Sequence, residues 1–354
     1  MRAFPIAIVL GLILSCGLER AESLDPFHSP PSTEPVFFAP GLVTTPHHEH
    51  SAPSISPDGN AIYWSAFLAP LQSPAPPVIL FTEKVCGRWT KPQLAPFSGQ
   101  YRDNGPVFSP DGRQIYFYSD RPVKAGGSPG DWDIWAVTRT EKGWSGPYNL
   151  GAPVNTTGLQ CSPSFTADGT LYYLGYAPGH FRNTAVYRSR QVDGVFQAPE
   201  LLPETINFPN AFKWCPFVAP DESFLLFSGY QDGGLGAGDI CVSFRDDQDR
   251  WSDPVNLGPR VNSDDNDRFP ALSSDGQWLF FSSKRTDIPA HYDSPQTLED
   301  LLARYEAPGN GLEDIYWMNA AIIDSLRQET LRGKGEGHKR RHAVQPSIRP
   351  PSSC

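Results

Sequence analysis

Short runs in which apolar and polar residues alternate fill most of this chain, and Pro, Gly, Asn or Asp break them every few positions. A period of two puts one side of each run into a core, as a β-strand requires. One phrase recurs: SISPDGNAIYWS (54–65), VFSPDGRQIYFYS (107–119), SFTADGTLYYLG (164–175), FVAPDESFLLFS (217–228) and ALSSDGQWLFFS (271–282). Each copy reads as strand, tight turn, strand, because Asp-Gly favours a two-residue hairpin and Gly accepts positive φ without strain. The turn residues Asp58, Asp111, Asp168, Asp221 and Asp275 stand 53, 57, 53 and 54 residues apart. They are expected to be structural. The third copy has Ala167 for Pro, and the fourth has Glu222 for Gly.

A third strand follows each hairpin: VILFTE (78–83), DIWAVTR (133–139), AVYRSR (185–190), DICVSF (239–244) and DIYWMN (314–319). A fourth phrase follows the first four copies, as Trp89-x-x-Pro92, Trp144-x-x-Pro147, Phe196-x-x-Pro199 and Trp251-x-x-Pro254. It is missing after the fifth copy and stands instead at the front, as Phe37-x-x-Pro40 followed by Leu42. The last unit therefore takes its fourth strand from the N-terminal side. A shared sheet of this kind closes a ring and protects the strand edges. The predicted fold is all-β, a β-propeller of four-stranded blades. Five blades closed by the N-terminal strand are expected, with a cryptic sixth as the alternative.

The PDG hairpin, the DIY strand and the W-x-x-P-x-x-L-G-x-x-V-N phrase resemble the WD40-like (PD40) propeller repeats of TolB-type periplasmic proteins. The best matches are 106–156, with NLGAPVN at 149–155, and 251–285, with NLGPRVN at 256–262. The resemblance covers 35–325 and implies a bacterial envelope address. TolB itself has six blades and an extra N-terminal domain. This chain shows five hairpins and no such domain, so TolB's transport role is not carried over.

Composition sharpens the fold and the address. With Pro 37 and Gly 31 in 354 residues and only 19% charged, a helical bundle and a coiled coil are excluded. A net charge of −10 gives no bias toward nucleic acid. Ala3 to Leu14 is apolar but too short for a bilayer, which takes about 20 residues; it reads as an export signal. Ile13-Leu14-Ser15-Cys16-Gly17 resembles a lipobox, with Cys16 as the lipidated residue and Leu14 as a departure from the small residue usual there. Ordinary signal cleavage before Glu22 is the rival. The expected division is a signal peptide (1–15), a tether (16–34), the propeller (35–325) and a basic, disordered tail (326–354). An insertion at 286–312 carries an amphipathic helix over 294–307, with Leu298, Leu301, Leu302 and Tyr305 on one face and Ser294-Pro295 at its start. Cys161 and Cys215 fall at neighbouring repeat positions, as a disulfide or as buried thiols.

Five residues before each turn Asp stands a Pro: Pro53, Pro106, Pro163, Pro216 and Pro270. Just before it come Glu49 and His50, then Arg102, Asp103 and Asn104, then Gln160, then Lys213 and Trp214, and last Asp267 and Arg268. With first strands innermost, these ring one mouth of the channel. Different residues in equivalent places suggest a surface tailored to a ligand; blade-to-blade salt bridges are the structural alternative. The expected function is non-catalytic, with an envelope protein or peptide bound at this mouth, by a monomer that meets the membrane only through its anchor. The alternative is a glycan hydrolase or lyase using Glu49, Asp103 and Asp267, with His50 as base. Such chemistry takes two carboxyls about 5–9.5 Å apart. No cofactor or metal is expected. His47-His48-Glu49-His50 has ligand residue types, with His48 and His50 on one strand face, and Asp264, Asp265 and Asp267 offer a weak Ca²⁺ alternative.

Overall fold

The computed structural model describes residues 26–27, 33–70, 73–176, 183–208, 213–229 and 233–342, with side chains as far as 332. The expected export signal, Cys16 and the segment beyond 342 lie outside the described residues. The chain folds as a five-bladed β-propeller. From the channel outward, blade one runs His48–Glu49 with Ser54–Ile55, Ala61–Phe67, Val78–Val85 and Gln93–Leu94. Blade two is Asp103–Phe108, Gln114–Ser119, Asp133–Thr140 and Tyr148–Asn149. Blade three is Gln160–Phe165, Leu171–Tyr176, Thr184–Ser189 and Glu200–Leu201. Blade four is Lys213–Val218, Phe224–Gly229, Asp239–Phe244 and Val255–Asn256. Blade five is Asp267–Leu272, Trp278–Ser283 and Asp314–Asn319, completed by Val36–Phe37.

The ring closes as the displaced phrase predicts. Val36 pairs with Trp317 and Phe37 with Tyr316, antiparallel. Next to them Phe38 is wholly buried, its ring 5.0 Å from Phe280 and 5.3 Å from Trp317. The Thr44 hydroxyl lies within hydrogen-bond reach of the Phe38 carbonyl (2.7 Å) and the Ile315 carbonyl (3.0 Å). That contact belongs to a device repeated in every blade. Asn155 accepts from the Ile134 amide and donates to the Ile134 carbonyl; Asn207 does the same at Val186, and Asn262 at Ile240. Ser98 accepts from Ile79. The final Asn of the L-G-x-x-V-N phrase is thus a clamp on third-strand backbone, and Thr44 supplies it for blade five.

The hairpin turns are local machines. Ser56, Ser109 and Ser273 donate to Asp58, Asp111 and Asp275 at 2.5–2.6 Å, and Thr166 donates to Asp168. These hydroxyls hold Asp58, Asp111 and Asp168 below the usual carboxylate range. In the fourth copy Glu222 takes the left-handed conformation at φ 60°. Its carboxylate accepts from the Tyr172 hydroxyl (2.6 Å) and pairs with Arg245 (2.9 Å), which offsets the strain of a non-glycine there.

The insertion holds a helix within the predicted 294–307 span, shorter and differently capped. The insertion helix spans Leu298–Tyr305, and Thr297, rather than Ser294, caps it through a reciprocal bond with Asp300. None of its residues is fully buried, and Leu298, Leu302 and Tyr305 of its apolar face are exposed. A second helix, Ala321–His342, follows the last third strand, where the sequence AAIIDSLRQETL suggests one. It docks through buried Ile323 and through Arg327, which lies 5.6 Å over the Phe224 ring and 5.2 Å over Phe244. No helix among the described residues is long and apolar enough to cross a membrane.

Removing the Phe38 ring leaves a cavity at the seam. Phe38→Ala is expected to cost about 3–5 kcal/mol, read as a lower urea midpoint, whereas exposed Leu298→Ala should change it little. A Phe38→Ala protein as stable as its parent would show that the N-terminal segment does not close the ring.

Candidate functional site

The inner strands all kink at the same place. Pairing slips between Asn104 and Val107, Cys161 and Ser164, Trp214 and Phe217, and Arg268 and Ala271. The residue before the Pro is left-handed in these four blades: Gly105, Ser162, Cys215 and Phe269, at φ 52–57°. At Gly105 the glycine is needed, since a Cβ would run into the Tyr118 ring. These bulges set Pro53, Pro106, Pro163, Pro216 and Pro270 around the channel axis, with Tyr118, Cys215 and Phe269. The cavity among them is about 70 Å³, enough to hold ordered water. Toward the hairpins the channel widens to about 290 Å³, with no titratable side chain in its lining.

At the mouth, one residue at the start of each inner strand does the same job, with four kinds of side chain across the five blades. Glu49 accepts from the Thr45 hydroxyl (2.6 Å) and amide (3.2 Å). Asp103 accepts from Ser98 (2.9 Å), and Asp267 from the Ser263 amide (2.6 Å) and hydroxyl (2.8 Å). Gln160 accepts from the Thr156 amide (3.0 Å), and the Lys213 ammonium donates to the Phe208 carbonyl (3.1 Å) and lies 4.0 Å over that ring. Each side chain ties its strand to the loop leaving the previous blade. Arg121 adds a buried ion pair to Asp103, and Arg285 pairs with Asp267 at 3.0 Å. All five anchors are buried, which corrects the expectation of an exposed ring. Burial pushes Glu49 well above the usual carboxylate range, raises Asp103 despite Arg121, and lowers Lys213 to about 8.

What faces outward is smaller and uneven. Arg102 is exposed, with its guanidinium 5.5 Å over the Trp132 ring and its amide donating to Asp120. Trp214 is half-buried, while Asn104 is buried. Asp264 and Asp265 are exposed and Asp267 turns inward to Arg285, so the three do not converge as a Ca²⁺ site would need. Cys161 and Cys215 are free thiols, and burial pushes each up to about 12.

One polar cluster sits at the seam between blades five and one. The Glu49 amide donates to the Glu313 carbonyl (2.8 Å), which brings Glu313 beneath the first strand of blade one. One Glu313 oxygen lies 2.9 Å from His48 Nε2 and 2.7 Å from His50 Nδ1. Its other oxygen accepts from Arg268. Burial opposes the charge on Glu313, yet His50, His48 and Arg268 hold it well below its ordinary value. Burial lowers His50, against the pull of Glu313. The His50 ring packs 4.9 Å from Phe269 in the channel wall. Glu313 had no repeat signature and stands 263 residues from His50 in sequence, so sequence reasoning missed it.

No protein-family model matches the chain, and no curated protein matches it. Among solved structures, it is similar to a GH43 endo-arabinanase from Bacillus licheniformis at 13% identity, covering 78% of this chain and 96% of that one, with a TM-score of 0.43. An alpha-L-arabinofuranosidase from Lactobacillus brevis gives 11%, 78%, 91% and 0.41. A puromycin-hydrolyzing peptidase from Mycobacterium tuberculosis gives 14% identity and a TM-score of 0.37, over 70% of this chain. This chain spans 36% of that peptidase's length.

Two outcomes test the electrostatics. Asp103→Asn leaves the buried Arg121 without its counter-charge and is expected to cost about 3–5 kcal/mol, read by urea denaturation; a change under about 1 kcal/mol, usual for surface sites, would make Asp103 a free recognition group. Asp314, at the head of the last third strand, accepts from the Gly309 amide (2.8 Å), and burial, with Asp287 nearby, raises it to about 7. Its folded form keeps a proton that the unfolded chain loses near pH 4, so stability falls as pH rises from about 4 to about 7, by as much as ~4 kcal/mol. Asp314→Asn should therefore match the parent near pH 4 and exceed it at pH 8. An offset that does not change with pH would refute this assignment.

Proposed function

We propose that this chain is a non-catalytic binding propeller of the TolB-like type, held at a bacterial envelope by a lipid on Cys16, which takes a protein or peptide partner at the channel mouth. The observation that supports it most is the division of labour at that mouth. Glu49, Asp103 and Asp267, which a glycan hydrolase or lyase would use, are buried and committed to Thr45, to Ser98 and Arg121, and to Ser263 and Arg285. The groups exposed at the mouth are recognition groups: the Arg102–Trp132 stack and the accessible edges of His50 and Arg268. Arginine and aromatic side chains are the residue types that dominate binding energy at protein interfaces. The narrow part of the channel behind them, ringed by five Pro residues, admits no folded domain, so a folded protein partner rests on the mouth.

The reading predicts a position-dependent contact. A photo-crosslinking residue in place of exposed Arg102 should trap one defined envelope protein, whereas the same residue in place of exposed Leu298, on the insertion helix, should not. Arg102→Ala with Trp214→Ala should abolish the adduct formed from a neighbouring mouth position. Cys16→Ala should move the protein from the membrane to the soluble fraction. Equal trapping from both sites would remove the mouth from the proposal, and a glycan-cleaving activity lost in Asp267→Asn would favour the hydrolase.

A further inference from the structure

We propose that His48, His50 and Glu313 bind a late first-row divalent cation of the Zn²⁺ class, through His48 Nε2, His50 Nδ1 and one Glu313 oxygen, with a further position open to solvent. Among the described residues this is the group of His, Cys, Asp and Glu side chains whose ligand atoms converge. The three atoms form a triangle with sides of 2.7, 2.9 and 3.2 Å. Zinc stands about 2.0–2.2 Å from imidazole nitrogen and carboxylate oxygen, so a cation fits just above this triangle with the ligands opening by a few tenths of an ångström. Three protein ligands and one exchangeable position are the pattern of an open zinc site rather than a closed structural one.

The surroundings suit the ion. His48 opens the strand His48–Glu49 and His50 follows it, its amide donating to the Ser65 carbonyl (2.7 Å), so that both rings lie on the same side. Phe67 packs 5.2 Å from each ring and fixes their spacing. Arg268 donates to the Glu313 oxygen that faces away from the histidines, the outer contact that orients a ligating carboxylate. The His50 and Arg268 side chains retain 20% and 17% of their exposure, which leaves an approach from solvent. Without a metal, two imidazole N–H groups would crowd one carboxylate oxygen. With one, the His48 proton moves to Nδ1, a buried atom with no protein partner, and that cost sets the affinity below that of a dedicated structural zinc site.

The site needs no partner at the mouth, so its test stands apart from the binding function. The full chain, stripped with a chelator, is titrated with Co²⁺ and then Zn²⁺. One equivalent of Co²⁺ is expected to give the intense visible absorption of a low-coordinate site, and Zn²⁺ to displace it. His50→Ala should weaken binding by about 100-fold or more, beyond what loss of an outer contact does, while His47→Ala, at an exposed neighbour, should leave it unchanged. Glu313→Gln also strips Arg268 of its counter-charge, so His50→Ala carries the argument, with circular dichroism confirming its fold. Absence of saturable binding, or binding lost in His47→Ala and kept in His50→Ala, would overturn the site and leave the cluster as a hydrogen-bonded clamp between blades.

Discussion

Everything in this ring depends on one joint between its two ends. Val36 and Phe37 supply the outermost strand of the last blade, Phe38 fills its core, and Thr44 clamps the Ile315 backbone. Four-stranded blades packed side by side would otherwise end in two raw sheets. Unpaired edges of that kind recruit other chains. The joint also creates the seam at which blade five meets blade one, and the buried Glu313 cluster lies in that seam. Architecture and candidate chemistry therefore share one origin.

Much of this was legible in the sequence. The five hairpins, their turn Asp residues and the displaced Phe37–Leu42 phrase identify both the blade count and the way the ring closes. They were legible because each rests on local physics, a turn or a strand pattern that repeats. The mouth was harder. Glu49, Asp103, Gln160, Lys213 and Asp267 look unlike one another, and variety in equivalent places suggested recognition. The fold shows that a carboxylate, an amide and an ammonium each tie the same loop, since that loop offers both donors and acceptors. A structural position need not repeat its residue when the backbone it serves can be satisfied from either side.

The seam cluster illustrates the opposite limit. His48 and His50 stand two apart in sequence and their residue types are suggestive, but two histidines alone carry little. Glu313 completes the group from the far end of the chain, brought there by ring closure and by the bond from the Glu49 amide to its own carbonyl. No periodicity marks it. The cap of the insertion helix was hidden for a related reason: capping depends on which hydroxyl meets which carboxylate, and Thr297 with Asp300 does this in place of Ser294 with Pro295.

The closing joint also imposes an order in time. Thr44 and Ile315 lie 271 residues apart, so the first blade-forming segment to be synthesised must wait for nearly the last. At about 5–20 residues per second that delay is on the order of 15–50 s. During it the inner blades can form, but blade five has no outer strand partner and the N-terminal segment has no sheet. Contacts this distant in sequence are slow to close even once the chain is complete. A nascent or stalled chain is thus an open arc with two adhesive ends, and its natural hazard is joining the arc of a neighbour instead of its own.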